Sequence, residues 1–127
     1  VDNAQYRLLK SATPGPYTFI LEASKEVPRR VSHPSRKTIG LRVPEHTALQ
    51  ALLALHDGAL LATTLIAPGE THPMNDANAI RDRFEKLIAG VIDAGACAQE
   101  PTTVIDLTGA EPQLIRQGRG DLARLGL

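Results

Sequence analysis

The chain has 127 residues, the length of one domain, and its 43% hydrophobic and 22% charged residues exclude a disordered or fibrous protein. Its longest uncharged apolar run, residues 59–68, is about half of the ~20 residues that a membrane span requires, so no membrane association is expected. The formal net charge of zero argues against a nucleic-acid binder, but only as an average over the chain.

The charge is in fact unevenly distributed. Residues 1–42 carry eight basic and three acidic residues, a net charge of +5, whereas residues 43–127 carry six basic and eleven acidic residues, a net charge of −5. The basic residues of the first part concentrate in one Pro-containing segment, which can follow a phosphate backbone or can simply be a solvated connection. The residues expected to form this phosphate-facing surface are Lys25, Arg29, Arg30, Arg36 and Lys37.

Apolar periodicity and turn signals predict alternating helices and strands. The first predicted element is a helix from Asp2 or Asn3 to about Lys10 or Ser11, with Tyr6 and Leu9 on one face. It is followed by a strand at 17–23, an irregular connection at 27–37, a strand at 38–43 and a helix at 47–56.

The second half of the chain continues this alternation. The predicted elements are a strand at 59–66 buried on both faces, a helix from Asp76 or Asn78 to about Ala89 with Ile80, Phe84, Leu87 and Ile88 inward, a short strand at 91–93, and strands at 102–107 and 113–117 that form a hairpin. Together these elements predict one mixed α/β domain over residues 1–127, with helices packed on a twisted sheet.

Few residues carry a chemical signal by themselves. Arg116 runs into Gly118-Arg119-Gly120, where turned backbone amides and a guanidinium can hold an anion. In the pairs Thr63-Thr64 and Thr102-Thr103, neighbouring side chains of a strand point to opposite faces, so each pair offers one hydroxyl to a site. The four histidines lack metal-ligand spacing, so no protein-held metal is expected. The single Cys97 cannot form an internal disulfide, which favours a reducing, cytoplasmic compartment.

The ordered runs of the chain resemble the YrdC/YciO family. These runs are PGPYTFILEASKEVPRR, RKTIGLRVPEH, LLATTLIAPG and EPTTVIDLTGAEPQLIRQGRGD. The first two look most like the YciO branch, and the family also includes threonylcarbamoyl-AMP synthases, which act in tRNA modification. The resemblance implies a twisted mixed sheet with one concave, positively charged face, of which this chain would be the C-terminal two thirds.

The resemblance also implies a nucleotidyltransferase reaction. The synthases join L-threonine, bicarbonate and ATP into threonylcarbamoyl-AMP and release pyrophosphate, with Mg²⁺ sharing the phosphate charge. Matched to the family's motifs, the residues expected to bind nucleotide or phosphate are Arg42, Thr64 and Arg116. The residues expected to line the threonine pocket are Thr18, Thr63, Thr102 and Thr103. No catalytic residue is assigned.

Two departures from the family's motifs favour an alternative function. Ala62 and Ile66 replace the first Ser and the Asn of the family's S-T-S-A-N stretch, and an aliphatic side chain cannot make the hydrogen bonds of an amide. The family's lysine–arginine (K-x-R) motif is not in this sequence, so we expect the chain to be incomplete for catalysis. The alternatives are a module that binds double-stranded RNA or tRNA without synthase activity, and a structural remnant without a ligand. The oligomeric state is left open.

Overall fold

A computed structural model of the chain describes residues 1–28, 32, 35, 37–97 and 99–127. The chain divides into two compact units, one formed by Val1–Ala59 with Glu100–Leu127 and the other by Leu60–Gln99. Three residues of the predicted phosphate-facing surface, Arg29, Arg30 and Arg36, lie outside the described residues.

The first unit holds a four-stranded sheet and two helices. Its elements are α1 (Asn3–Ala12), β1 (Tyr17–Glu22), β2 (Thr38–Leu41), α2 (Thr47–His56), β3 (Thr103–Asp106), β4 (Gln113–Arg116) and a 3₁₀ turn at Ala123–Leu125. The second unit contains α3 (Ala77–Phe84). The predicted mixed α/β class is confirmed, and both helices of the first unit match their predicted bounds within two residues.

The sheet has the order β2-β1-β3-β4. β1 pairs antiparallel with β2, while β1 and β3 run parallel, with Tyr17 opposite Thr103 and Phe19 opposite Ile105. β3 and β4 form the predicted antiparallel hairpin, with an irregularity in register between Val104 and Ile105. The sheet is therefore mixed, as predicted, with the parallel pair at its centre.

The core lies on one face of this sheet. Alternate residues of β1 and β3 are buried, as expected for strands with one covered face. This core face carries Tyr17, Phe19, Leu21, Thr103 and Ile105. Ala12 and Leu125 join the same cluster. Helix α1 and the C-terminal 3₁₀ turn therefore cover the core face.

A capping box fixes the start of α1. The Asp2 carboxylate accepts a hydrogen bond from the Gln5 N–H at 2.8 Å, and the Asp2 N–H donates to Gln5 Oε1 at 3.0 Å. Gln5 Nε2 also donates to the Leu107 carbonyl at 2.7 Å, which ties the helix to the end of β3. Leu8 and Leu9 pack on the core, whereas Tyr6 is 58% exposed, so of the pair predicted to share one face, Tyr6 and Leu9, only Leu9 reaches the core.

The predictions for residues 59–93 differ most from the structure. Residues 59–66 have no regular structure, and Leu61 is 76% exposed, so the predicted buried strand is wrong. A strand requires backbone partners, and none of the described strands pairs with this run. Residues 91–93 form no strand either. Helix α3 begins at the predicted Asp76 cap but ends at Phe84, and Leu87, expected inward, is 80% exposed.

Within the described part of the chain, no helix is long and apolar enough to cross a membrane.

We predict that Phe19→Ala destabilises the protein by about 3–5 kcal/mol, because Phe19 is fully buried at the centre of the core face. Urea unfolding followed by circular dichroism measures the change. Leu55→Ala is the matched control, since Leu55 is 87% exposed and its truncation should cost less than about 0.5 kcal/mol. Equal losses in the two variants would contradict this assignment of the core.

Candidate functional site

Three of the predicted site residues meet on the other face of the sheet, which we call the front face. Its central positions, Thr18 and Ile20 on β1 and Val104 on β3, are half-buried rather than buried. Thr102, which directly precedes β3, and Arg116, which ends β4, reach the same place through hydrogen bonds. We call Thr18, Thr102 and Arg116 the front cluster.

The guanidinium of Arg116 is held in place by the start of β3. Its Nε and Nη2 donate to the Thr102 carbonyl at 3.1 and 3.0 Å, and Nη2 donates to Thr102 Oγ1 at 3.2 Å. A guanidinium has five N–H donors, and these bonds use Nε and Nη2. The two N–H groups of Nη1 have no partner within the described residues, so they can donate to a ligand.

The hydroxyls of Thr18 and Thr102 also leave one hydrogen-bond donor for a ligand. Thr18 Oγ1 and Thr102 Oγ1 lie 2.8 Å apart, and either can be the donor. One hydroxyl proton lies between the two oxygens, which leaves the other proton without an acceptor in the cluster. The front cluster therefore presents a cationic pair of N–H donors beside one hydroxyl donor.

No carboxylate among the described residues forms an ion pair with Arg116. In those ranges the one ion pair joins Arg81 to Asp82, 3.3 Å apart, and both side chains are largely exposed. A guanidinium with free donors and no paired carboxylate suits a carboxylate or phosphate ligand, because charge-assisted hydrogen bonds to such groups are the strong ones.

Arg42 follows β2 on the edge of the same face. The register pairs Phe19 with Leu41, so one further step brings Arg42 opposite Thr18. Gly40, opposite Ile20, also lies next to Thr18, since a Cβ there would sit 3.5 Å from Thr18 Cγ2, an ordinary contact distance. Arg42 is exposed, and a second cation at this edge suits an elongated anion.

Thr103, predicted to line the pocket, lies on the core face and is fully buried. Its Oγ1 donates to the Gly120 carbonyl at 2.9 Å and accepts from the Gly118 N–H at 3.0 Å. The prediction that each threonine pair has one hydroxyl on each face is confirmed for Thr102 and Thr103. A pocket role for Thr103 itself stays a prediction.

The segment after β4 is wedged against the core face. A Cβ at Gly120 would overlap the Tyr17 ring, and a Cβ at Gly118 would overlap the Pro101 carbonyl oxygen. The Tyr17 hydroxyl donates to the Asp121 carbonyl at 2.8 Å. The glycines of this turn therefore permit close backbone approach, a packing role that the sequence pattern alone did not separate from anion binding.

The remaining predicted site residues belong to other parts of the chain. Thr63 and Thr64 belong to the second unit, in an irregular and exposed stretch with Ile66, so their predicted roles stay predictions. Lys25 and Lys37 are exposed. The predicted concave basic face also stays a prediction, since its three arginines lie outside the described residues.

The chain matches known proteins over nearly its whole length. The Sua5/YciO/YrdC family model, which carries the description telomere recombination, matches residues 1–118. The Escherichia coli (strain K12) protein YciO is 48% identical over 122 residues, which cover 96% of this chain and 59% of YciO. The threonylcarbamoyl-AMP synthase of Pyrococcus abyssi is 32% identical over 112 residues, covering 87% of this chain and 32% of the synthase.

Solved structures agree with these matches. The crystal structure of Escherichia coli YciO superposes with a TM-score of 0.88 at 47% identity, covering 98% of this chain and 61% of YciO. Pyrococcus abyssi Sua5, solved in complex with L-threonine, superposes with a TM-score of 0.80 at 29% identity, covering 93% of this chain and 34% of Sua5.

The fold and the matches define a mixed α/β protein related to threonylcarbamoyl-AMP synthases. The chain belongs to the Sua5/YciO/YrdC family, as its sequence motifs predicted. It spans 59% of the length of the YciO protein it matches.

We predict that Gly120→Ala destabilises the protein by about 1–3 kcal/mol, because the added methyl group would overlap the Tyr17 ring and neither partner can move freely in the core. Thermal or urea unfolding measures the loss. In Gly90→Ala, the control, no described atom lies within 4 Å of the new Cβ, so its stability should stay close to that of the wild type. A Gly120→Ala variant as stable as the wild type would contradict the wedged turn.

Proposed function

We propose that the full-length protein binds L-threonine through the front cluster and ATP beside it at Arg42, and that it catalyses the reaction of a threonylcarbamoyl-AMP synthase. The observation that carries this proposal is the guanidinium of Arg116, which is fixed by Thr102 yet keeps the N–H donors of Nη1 free among the described residues. A donor held in place before the ligand arrives costs little reorganisation on binding.

In this proposal the two N–H groups of Arg116 Nη1 donate hydrogen bonds to the threonine carboxylate, whereas the motif match had assigned Arg116 to the nucleotide phosphates; the change of ligand rests on the contact of Arg116 with Thr102, a residue expected to line the threonine pocket. The free hydroxyl proton of the Thr18–Thr102 pair donates to the ligand beside it. The choice of L-threonine as the ligand is supported by the comparisons, because a Pyrococcus abyssi threonylcarbamoyl-AMP synthase is 32% identical to this chain and Pyrococcus abyssi Sua5 has been solved in complex with L-threonine.

The reaction requires positive charge near the phosphates of ATP. The threonine amine and bicarbonate form a carbamate with loss of water, a carbamate oxygen attacks the α-phosphorus of ATP, and pyrophosphate leaves. Arg42, at the edge of the front face, is the residue we assign to the nucleotide phosphates, whose negative charge it would offset. Mg²⁺, which accompanies ATP in such reactions, would share the negative charge of the phosphates.

We predict that Arg116→Gln weakens L-threonine binding by about 10- to 100-fold, the cost of losing a charge-assisted pair of hydrogen bonds. Isothermal titration calorimetry on the full-length protein gives the dissociation constant, and threonine-dependent pyrophosphate release gives the activity. Arg81→Gln is the control, because Arg81 is an exposed arginine of the second unit that pairs with its neighbour Asp82.

Two results would contradict this proposal. One is a well-folded full-length protein that releases no pyrophosphate above a blank when given threonine, bicarbonate and ATP. The other is an Arg116→Gln variant that binds L-threonine as tightly as the Arg81→Gln control does.

Double-stranded RNA or tRNA is the second candidate ligand. It is favoured by the net charge of +5 over residues 1–42 and by the exposed Lys25 and Lys37 in that part of the chain. Ile66, which cannot make the hydrogen bonds of an amide, also favours a family member without synthase activity. Contacts of lysines to a phosphate backbone carry no sequence information, so shape rather than sequence would be recognised.

If RNA is a ligand, its affinity should fall steeply with salt, and each of Lys25→Gln and Lys37→Gln should reduce the slope of log K against log salt by about 1. Fluorescence anisotropy with a labelled RNA duplex measures both quantities. Lys86→Gln removes an exposed lysine from the net-negative part of the chain and should change neither. An affinity that is flat from low to high salt would exclude this candidate.

A further inference from the structure

Adjacent threonines serve the two faces of the sheet in different ways. Thr102 holds the Arg116 guanidinium on the front face. Thr103 is the one buried polar residue among those the structure describes, and its hydroxyl is fully engaged with the turn that follows β4. A buried hydroxyl with both a donor and an acceptor partner fixes the groups around it, because leaving either partner unpaired is costly.

The end of β4, the strand that carries Arg116, is not anchored by buried side chains. All four residues of β4 are exposed, so side-chain burial does not anchor the strand. Arg116 is its last residue and pairs with Val104. An irregularity in the register separates this pair from the next one, Ile105 with Leu114. The end of a short edge strand opens readily when no buried contacts hold it.

The turn that begins two residues later supplies the missing anchor. The Gly118 N–H donates to Thr103 Oγ1 at 3.0 Å, and the Arg119 N–H donates to the Pro101 carbonyl at 2.9 Å. Both bonds fasten the chain after β4 to the chain at the start of β3. Because Thr102 lies between Pro101 and Thr103, the Arg116 main chain is held where its guanidinium reaches the Thr102 carbonyl.

We propose that Thr103 is a positioning residue: from the core face, its hydroxyl holds the Gly118–Gly120 turn and thereby keeps the Arg116 guanidinium aligned for a carboxylate ligand on the front face. This inference rests on the proposed function for the identity of the ligand, whereas the alignment of Arg116 is a property of the protein alone.

The Thr103→Val substitution removes the hydroxyl and little else. Valine keeps the volume and the β-branching but leaves the Gly118 N–H without its acceptor. The Gly120 carbonyl still accepts from Gln117 Nε2 at 3.1 Å, so only one main-chain group of the turn loses its partner entirely. Thr103→Ser keeps the hydroxyl and should restore the anchor.

The test measures L-threonine binding in the full-length protein by calorimetry. We expect Thr103→Val to raise the dissociation constant about tenfold, because a small misplacement of a fixed donor is costly, and Thr103→Ser to stay within about twofold of the wild type. Ile105→Val is the matched control, since it lowers core stability on the same face of the same strand without removing a hydrogen bond. If Thr103→Val and Ile105→Val change the dissociation constant equally, the positioning role is wrong.

A second measurement needs no ligand. NMR hydrogen exchange of the Arg116 Nε–H reports its bond to the Thr102 carbonyl. We expect exchange to accelerate several-fold in Thr103→Val but not in Thr103→Ser or Ile105→Val. Unchanged exchange in Thr103→Val would overturn the positioning role. A wild type that binds no L-threonine but shows the expected exchange pattern would overturn the proposed ligand and support the positioning role.

Discussion

The parallel pairing of β1 with β3 is the constraint on which the rest of the first unit depends. It brings residues 17–20 beside residues 103–106, although more than half of the chain separates them in sequence. The same register puts Tyr17 and Phe19 beside Thr103 and Ile105 on the core face, and Thr18 within hydrogen-bond distance of Thr102 on the front face. A shift of one residue would exchange the two faces and lose both the core and the front cluster.

Because neighbouring side chains of a strand point to opposite faces, the residues that pack the core and the residues of the candidate site lie on different faces of the sheet. The core face is closed by α1 and the C-terminal 3₁₀ turn and carries buried apolar side chains together with the Thr103 hydroxyl. The front face carries half-buried threonines and the guanidinium of Arg116. Rigid packing on one side supports donors fixed on the other, and this arrangement is what binding sites require of their scaffold. In this family member the division falls between two consecutive residues, Thr102 and Thr103.

Local signals predicted the elements that are stabilised locally. The helix with an Asp2 cap, the helix at 47–56 and the hairpin of β3 with β4 all follow from capping, periodicity and turn residues. The strand predicted from the apolar run at 59–66 was wrong, because an apolar stretch becomes a strand only where other strands offer hydrogen bonds. Helix α3 likewise has its predicted start, which a cap determines, but not its predicted end, which lacked a comparable signal.

The sequence by itself determined the order of the first unit's elements, the family, and the residue types available for binding. Its motifs named Thr18, Thr102, Thr103 and Arg116 without deciding which of them meet. Only the tertiary structure decided that Thr18, Thr102 and Arg116 share the front face while Thr103 turns to the core. The physical reason is that strand pairing between distant segments sets the register, and local sequence preferences carry no information about which distant strand becomes the neighbour.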